Sequence, residues 1–299
     1  MKRLYDVVVP LVTPLTQNDR VDTASLESLT EYVISKNLDC LYPCGTTGEM
    51  AYLSVDERKL VTETVVKQAK NRVPVFAQVG GANTSETIEL ARHALECGAD
   101  GIGVVTPWYF KLSDEALFQF YKAVADSLPK DYPVYLYSIP QNAVNDISRA
   151  LAARIAAACP NVVGIKYSYP DMTKLQDFMT IPNFDVLVGP DHLYQVVMAA
   201  GGKGVVSGNA MIVAEHYEAI TKAIHANDQE TAVKVQRRTN ILNGILCESN
   251  NIGCYKAMLK HMGVIETEKM RAPMVAVCGD EAKRLIARLD EMKFNQVIL

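Results

Sequence analysis

The chain of 299 residues has no surplus of positive charge: 30 Lys and Arg stand against 34 Asp and Glu, a formal net charge of -4. That excludes nucleic acid or an anionic membrane surface as the main partner. Among its cysteines (Cys40, Cys44, Cys97, Cys159, Cys247, Cys254, Cys278) there is no Cys-x-x-Cys pair. Their odd number and wide scatter speak for reduced thiols in a cytoplasmic protein rather than a disulfide framework. The histidines (His93, His192, His216, His225, His261) form no His-x-x-x-His or His-Glu-x-x-His pairing, so the sequence gives no support to a zinc site. Long hydrophobic runs are missing too. The apolar stretch after Lys2 and Arg3 is broken by Pro10 and Pro14, is too short to span a bilayer, and reads as a buried strand rather than a signal peptide. Low-complexity tracts and flexible linkers are likewise absent, which leaves an ordinary globular composition.

What is present is an alternation of short apolar runs and amphipathic stretches. Strands are predicted at 7–12, 40–43, 75–79, 101–105, 134–137, 162–166, 186–189 and 204–207. Most are continuously apolar, as parallel strands covered on both faces should be. Helices are predicted at 23–36, 55–70, 85–97, 114–127, 148–158, 172–178, 193–200 and 214–226. Asp22 or Thr23, Ser54 and Thr84 are placed to open the first three. Eight strand–helix units in series predict an α/β chain folded as a (β/α)8 TIM barrel; a doubly wound open sheet is the runner-up. The expected division is a catalytic barrel over 1–226 and a C-terminal α-helical extension over 227–299, with helices at 228–245, 251–262 and 280–292 packed on the outside of the barrel.

In such a barrel the chemistry sits at the C-terminal ends of the strands, and three segments there carry capable side chains. Cys44-Gly45-Thr46-Thr47-Gly48-Glu49 follows the second strand. Its glycines permit a tight turn that serves either as an amide nest for a carboxylate or phosphate, or simply as a connection. Lys166 closes the apolar run Val162-Val163-Gly164-Ile165. Desolvation there disfavours the ammonium and favours a nucleophilic amine able to form a Schiff base; the alternative is a lysine that snorkels to solvent. Tyr137 ends the fifth strand, next to the strand of Lys166, as a proton shuttle or as an aromatic lid. One reaction would use an anion nest, an amine and a proton shuttle together.

These motifs, with Pro10-Leu11-Val12-Thr13-Pro14, Gly80-Gly81-x-x-Thr84, Thr106-Pro107-Trp108-Tyr109 and Tyr137-x-x-Pro140, resemble the signature set of the dihydrodipicolinate synthase / N-acetylneuraminate lyase family across the whole barrel. The resemblance implies a class I lyase or aldolase that makes or breaks a bond to pyruvate and needs no metal or organic cofactor. It implies that Lys166 is the Schiff-base lysine, that Tyr137 and Thr46 relay protons, and that Tyr109 is contributed to a neighbouring subunit's site. It further implies that Thr47, Gly48 and Val206 contact pyruvate, and that the protein is a cytoplasmic homotetramer, a dimer of dimers, whose partners are pyruvate and a second small molecule.

The pattern departs from the synthases after Pro140. There the family resemblance calls for an arginine two residues on, to grip the carboxylate of aspartate semialdehyde; this chain has Gln141 and then Asn142. A neutral amide cannot form a bidentate, charge-assisted clamp. A polar, uncharged lining of Ser138, Asn142, Ser168, Ser207 and Asn209, with Asp191, suits hydroxyl groups. The expected substrate is therefore a hydroxylated 2-oxo acid, either N-acetylneuraminate or a 2-keto-3-deoxy sugar acid. The alternatives are 4-hydroxy-tetrahydrodipicolinate synthase activity and, from another class, a non-catalytic keto-acid sensor. Cys44 is expected to be a buried packing residue, His192 to be a cap, solvent-exposed or in contact with substrate, and Trp108 to form an aromatic surface at the mouth or a subunit contact.

Overall fold

A computed structural model describes residues 1–247 and 251–298. The apolar runs become eight parallel strands: β1 (Asp6–Pro10), β2 (Cys40–Tyr42), β3 (Phe76–Gln78), β4 (Gly101–Val105), β5 (Val134–Ser138), β6 (Val162–Tyr167), β7 (Asp185–Val188) and β8 (Gly204–Val206). Their order is β2-β1-β8-β7-β6-β5-β4-β3. The remaining seam is bridged where Leu41 pairs in parallel with Val75, and where the Gln78 amide donates to the Pro43 carbonyl at 3.0 Å. The sheet is thus a barrel, not the open runner-up.

The β5–β6 pairing contains an irregularity. Val134 pairs with Val162, but Tyr135 pairs with Gly164, so β6 advances by one residue and Tyr137 comes to lie opposite Lys166.

The ring of helices is α1 (Thr23–Ser35), α2 (Val55–Ala69), α3 (Thr84–Glu96), α4 (Asp114–Asp126), the single turn α5 (Pro140–Ala143), α6 (Arg149–Ala158), α7 (Met172–Met179), α8 (Tyr194–Ala199) and α9 (Ala214–His225). Side chains fix several starts. Asp22 accepts from the Ser25 amide, and Ser54 forms a capping box with Glu57. The third cap is Asn83 rather than Thr84, because its amide oxygen reaches the Glu86 N–H at 2.9 Å.

Beyond the barrel come α10 (Gln229–Leu246), α11 (Asn251–His261) and α12 (Gly279–Glu291). α10 lies along α9 and α8. α11 does not simply coat the outside: its residues Ile252 to Leu259 are all buried, and it lies against strand-end loops of the barrel mouth.

Aromatic side chains fill the barrel interior, and glycines on nearby strands make room for them. A Cβ on Gly103 would stand 1.7 Å from the Tyr42 hydroxyl, and one on Gly164 would stand 2.7 Å from the Tyr135 ring. Interiors at this density do not absorb an added methyl group cheaply. Gly103→Ala should therefore lower the urea-unfolding free energy by about 1–3 kcal/mol. Gly244→Ala, in α10 with nothing within 4 Å of the new Cβ, should leave stability unchanged or raise it by about 0.5–1 kcal/mol. Equal effects from the two would show that the interior has slack.

Candidate active site

The shifted register puts two chemically active side chains side by side at the barrel's C-terminal end. Paired residues of parallel strands project to the same side, and here that side is the interior. Lys166 is 5% exposed. Its Nζ lies 4.0 Å from the centre of the Tyr137 ring and 5.2 Å from that of Tyr42. The Tyr137 hydroxyl is 2.9 Å from Thr46 Oγ1. The amine, the phenol and the threonine hydroxyl chosen from sequence are therefore in one cluster. Val206 borders the same interior, paired with Val8 on β1.

The turn that carries Thr46 is closed by its own backbone. The Gly48 amide donates to the Gly45 carbonyl and the Glu49 amide to the Thr46 carbonyl, each at 3.0 Å. Thr13 Oγ1 donates to the Gly48 carbonyl at 2.8 Å. A Cβ on Gly48 would meet the Leu11 carbonyl at 3.1 Å, so Gly48 shapes the turn from beneath and its N–H serves the turn itself. Thr46 and Thr47 remain half-buried at the crown.

Glu49 anchors that turn to the C-terminal extension. One carboxylate oxygen accepts from Lys256 Nζ on α11, and the other accepts from the Arg271 amide at 3.0 Å. Lys256 is 0% exposed and also donates to the Lys269 carbonyl at 2.8 Å. Burial pulls the Lys256 ammonium below the usual lysine range, and the Glu49 charge opposes that pull. Sequence reasoning missed this pair. Its only signal was a lysine within the apolar helix predicted at 251–262.

The polar side chains after β7 and β8 are not a free lining. Asp191 accepts from Tyr217 Oη at 2.6 Å and from Asn209 Nδ2 at 3.0 Å. Tyr255 Oη donates to Asn209 Oδ1 at 3.1 Å, and Asn243 Nδ2 to Tyr217 Oη at 3.0 Å. Burial pushes the Asp191 carboxyl above the usual carboxylate range, while hydrogen bonds from Ser207, Tyr217 and Asn209 counter it. Ser207 and Asn209 are buried, and Ser207 Oγ accepts from the Ala210 amide at 3.2 Å. Ser138 is also buried and donates to Asp146 at 2.7 Å. These groups bond to one another or to neighbouring residues in the wall. The sequence reading placed them at the right strand ends but could not tell which way they face.

Above the cluster opens a cavity of about 330 Å³, whose polar lining is Thr46, Glu49 and Asn142. Its other walls include Met50, Tyr52, Trp108, Ile139, Ile252 and Met274. Asn142 reaches it from α5, whose first residue is Pro140. Thr46 joins the cavity to Tyr137 and thence to Lys166. Tyr109 lies apart: 79% exposed, with φ 79°, its ring meets Phe110 edge-on at 5.0 Å. His192 is exposed. Cys44 is buried, donates to the Arg58 carbonyl at 3.4 Å, and burial pushes its thiol up, so it is a packing residue.

Residues 3–292 match the model of the dihydrodipicolinate synthetase family. The chain belongs to that family. It is 36% identical over 289 residues to the 4-hydroxy-tetrahydrodipicolinate synthase of Citrifermentans bemidjiense, covering 96% of this chain and 98% of the relative. It is 39% identical over 246 residues to the enzyme of that name from Acidiphilium cryptum, covering 82% and 83%. Among solved structures it superposes on YagE, an E. coli prophage protein of the dihydrodipicolinic acid synthase family in complex with pyruvate. That match has TM-score 0.92 at 27% identity and covers 97% of this chain and 99% of the other. Dihydrodipicolinate synthase from Aquifex aeolicus matches with TM-score 0.91 at 31% identity, over 97% and 99%.

As a member of the dihydrodipicolinate synthetase family the chain is a pyruvate-dependent class I aldolase. Both curated relatives carry the synthase name, which fits the synthase alternative better than a sialic-acid lyase. Ser138, Ser207 and Asn209 are buried, and of the polar lining expected from sequence Asn142 borders the cavity.

Removing one partner of a buried ion pair strands the other charge. Lys256→Met should cost about 3–5 kcal/mol in chemical denaturation, and adding Glu49→Gln to it should recover part of that loss. A Lys256→Met protein as stable as the parent would show that the pair does not anchor the turn.

Proposed function

We propose that this chain joins pyruvate, held as a Schiff base on Lys166, to an aldehyde, in the bond-forming sense carried by its relatives' names. The observation that supports this reading is one cluster of three groups. Lys166 Nζ stands 4.0 Å from the Tyr137 ring centre, and Tyr137 Oη stands 2.9 Å from Thr46 Oγ1.

In this reading the neutral amine adds to C2 of pyruvate and gives a carbinolamine. Tyr137 and Thr46 pass a proton to its hydroxyl, which leaves as water, and the Lys166 iminium forms. The iminium draws electrons from C3, a methyl proton departs, and an enamine results. C3 then attacks the aldehyde carbon, and the former aldehyde oxygen takes up a proton. Water adds to the new iminium and releases a 4-hydroxy-2-oxo acid with the amine restored. Thr47 and the crown of its turn hold the pyruvate carboxylate and so fix the plane of the enamine, while Val206 lines the inner wall. The scheme calls for no metal or organic cofactor, because the iminium is itself the electron sink. Tyr109, on its exposed turn, serves the site of a neighbouring copy in a homotetramer.

The relatives' names favour 4-hydroxy-tetrahydrodipicolinate synthase over the sialic-acid and sugar-acid readings, so aspartate semialdehyde is the first aldehyde to try. Asn142 is the specific observation in favour of another aldehyde.

Borohydride added with pyruvate should leave a reduced pyruvyl adduct on Lys166, read by peptide mass spectrometry. Lys166→Ala should lose both adduct and turnover, and Tyr137→Phe should lower kcat by about 10²–10⁴-fold. An adduct elsewhere, or none, would overturn the mechanism. Undiminished pyruvate binding by Lys166→Ala, with no turnover by the parent, would instead mark a keto-acid sensor.

A further inference from the structure

Among the described residues, the cavity above Thr46 offers neither a cation for a substrate carboxylate nor a continuous polar wall for a polyol. Met50, Tyr52, Trp108, Ile139, Ile252 and Met274 supply apolar surface on several sides. Among the described residues no lysine, arginine or histidine lines it. Glu49, the one carboxylate among the described lining residues, accepts from Lys256 with one oxygen and from the Arg271 amide with the other. Asn142 is left as its neutral polar handle beside Thr46.

A substrate carboxylate placed there would lose its hydration and gain no cation, and a polyol would leave hydroxyls against apolar walls; both are costly. Thioethers and aromatic rings make favourable contact with flat or flexible apolar groups. At about 330 Å³ the space is within the range of small-molecule sites. It also adjoins the cluster of Tyr137 and Lys166, because Thr46 belongs to its wall and is hydrogen-bonded to Tyr137.

We infer that the aldehyde joined to pyruvate has an aromatic or aliphatic body without charge, seated against Trp108, Tyr52 and the two methionines. Asn142 orients its carbonyl or a ring substituent. This inference rests on the Schiff-base reading above. The reaction is the same addition: the enamine C3 bonds to the aldehyde carbon, and the aldehyde oxygen becomes a hydroxyl by taking up one proton.

The test compares kcat/KM at saturating pyruvate for phenylacetaldehyde, hexanal, aspartate semialdehyde and glyceraldehyde, with formation of the 4-hydroxy-2-oxo acid as the readout. The better of the two apolar aldehydes should exceed both polar ones by at least about tenfold. Met274→Glu should lower kcat/KM for the apolar aldehyde by about tenfold or more, and Asn142→Arg should move the preference toward the semialdehyde. Borohydride trapping of pyruvate on the same preparations reads the Schiff base separately. Preference for the semialdehyde or for glyceraldehyde would overturn the inference and leave the aldolase reading standing. So would intact trapping with no turnover of either apolar aldehyde. Failure of trapping would overturn both.

Discussion

The site depends on a one-residue advance in the pairing of β5 with β6. Strand side chains alternate between faces, so a slip of one position exchanges inside for outside. Counting without interruption from Val134 opposite Val162 would set Tyr137 against Ile165. The observed irregularity sets it against Lys166 instead, and the phenol and the amine share the barrel interior. A bulge that re-aims a side chain beside a reactive centre is a recurrent device in sheets. Here it sets the Tyr137 phenol beside the Lys166 amine.

That placement is supported from below and from the side. Tyr42 and Tyr135 fill the space beneath, and they fit because Gly103 and Gly164 have no side chain. The threonine turn stands beside the pair and is closed by its own amides. Its final residue, Glu49, reaches across to α11 and to the Arg271 backbone. Lys166 and Tyr137 on the strand ends are thus held by a packed interior, while the cavity nearby is walled by separate loops.

Much of this was legible from residue order, for physical reasons that also mark its limits. Lys166, Tyr137 and Thr46 stood out because each ends or directly follows an apolar run, and barrel topology sends such positions to one mouth. The barrel itself was legible because continuous apolar strands require cover on both faces. Asp191, Ser207 and Asn209 were placed at the correct ends, yet nothing local told that they would bond to Tyr217, Tyr255 and one another. Lys256 was silent because its partner lies 207 positions away. The apolar cavity was equally hidden, since it is assembled from the segment after Gly48, the loops after β4 and β5, α11 and the chain near Met274. No stretch of sequence displays such a surface by itself.

The tie between Glu49 and Lys256 also bears on the order in which the protein can become competent during synthesis. The ribosome releases the barrel strands first, and all eight precede residue 207. Lys256 and Arg271, which brace the threonine turn, emerge later. A nascent chain that already possesses its complete sheet therefore still lacks the brace behind its threonine turn. The mouth of the barrel is braced by segments made after all eight strands.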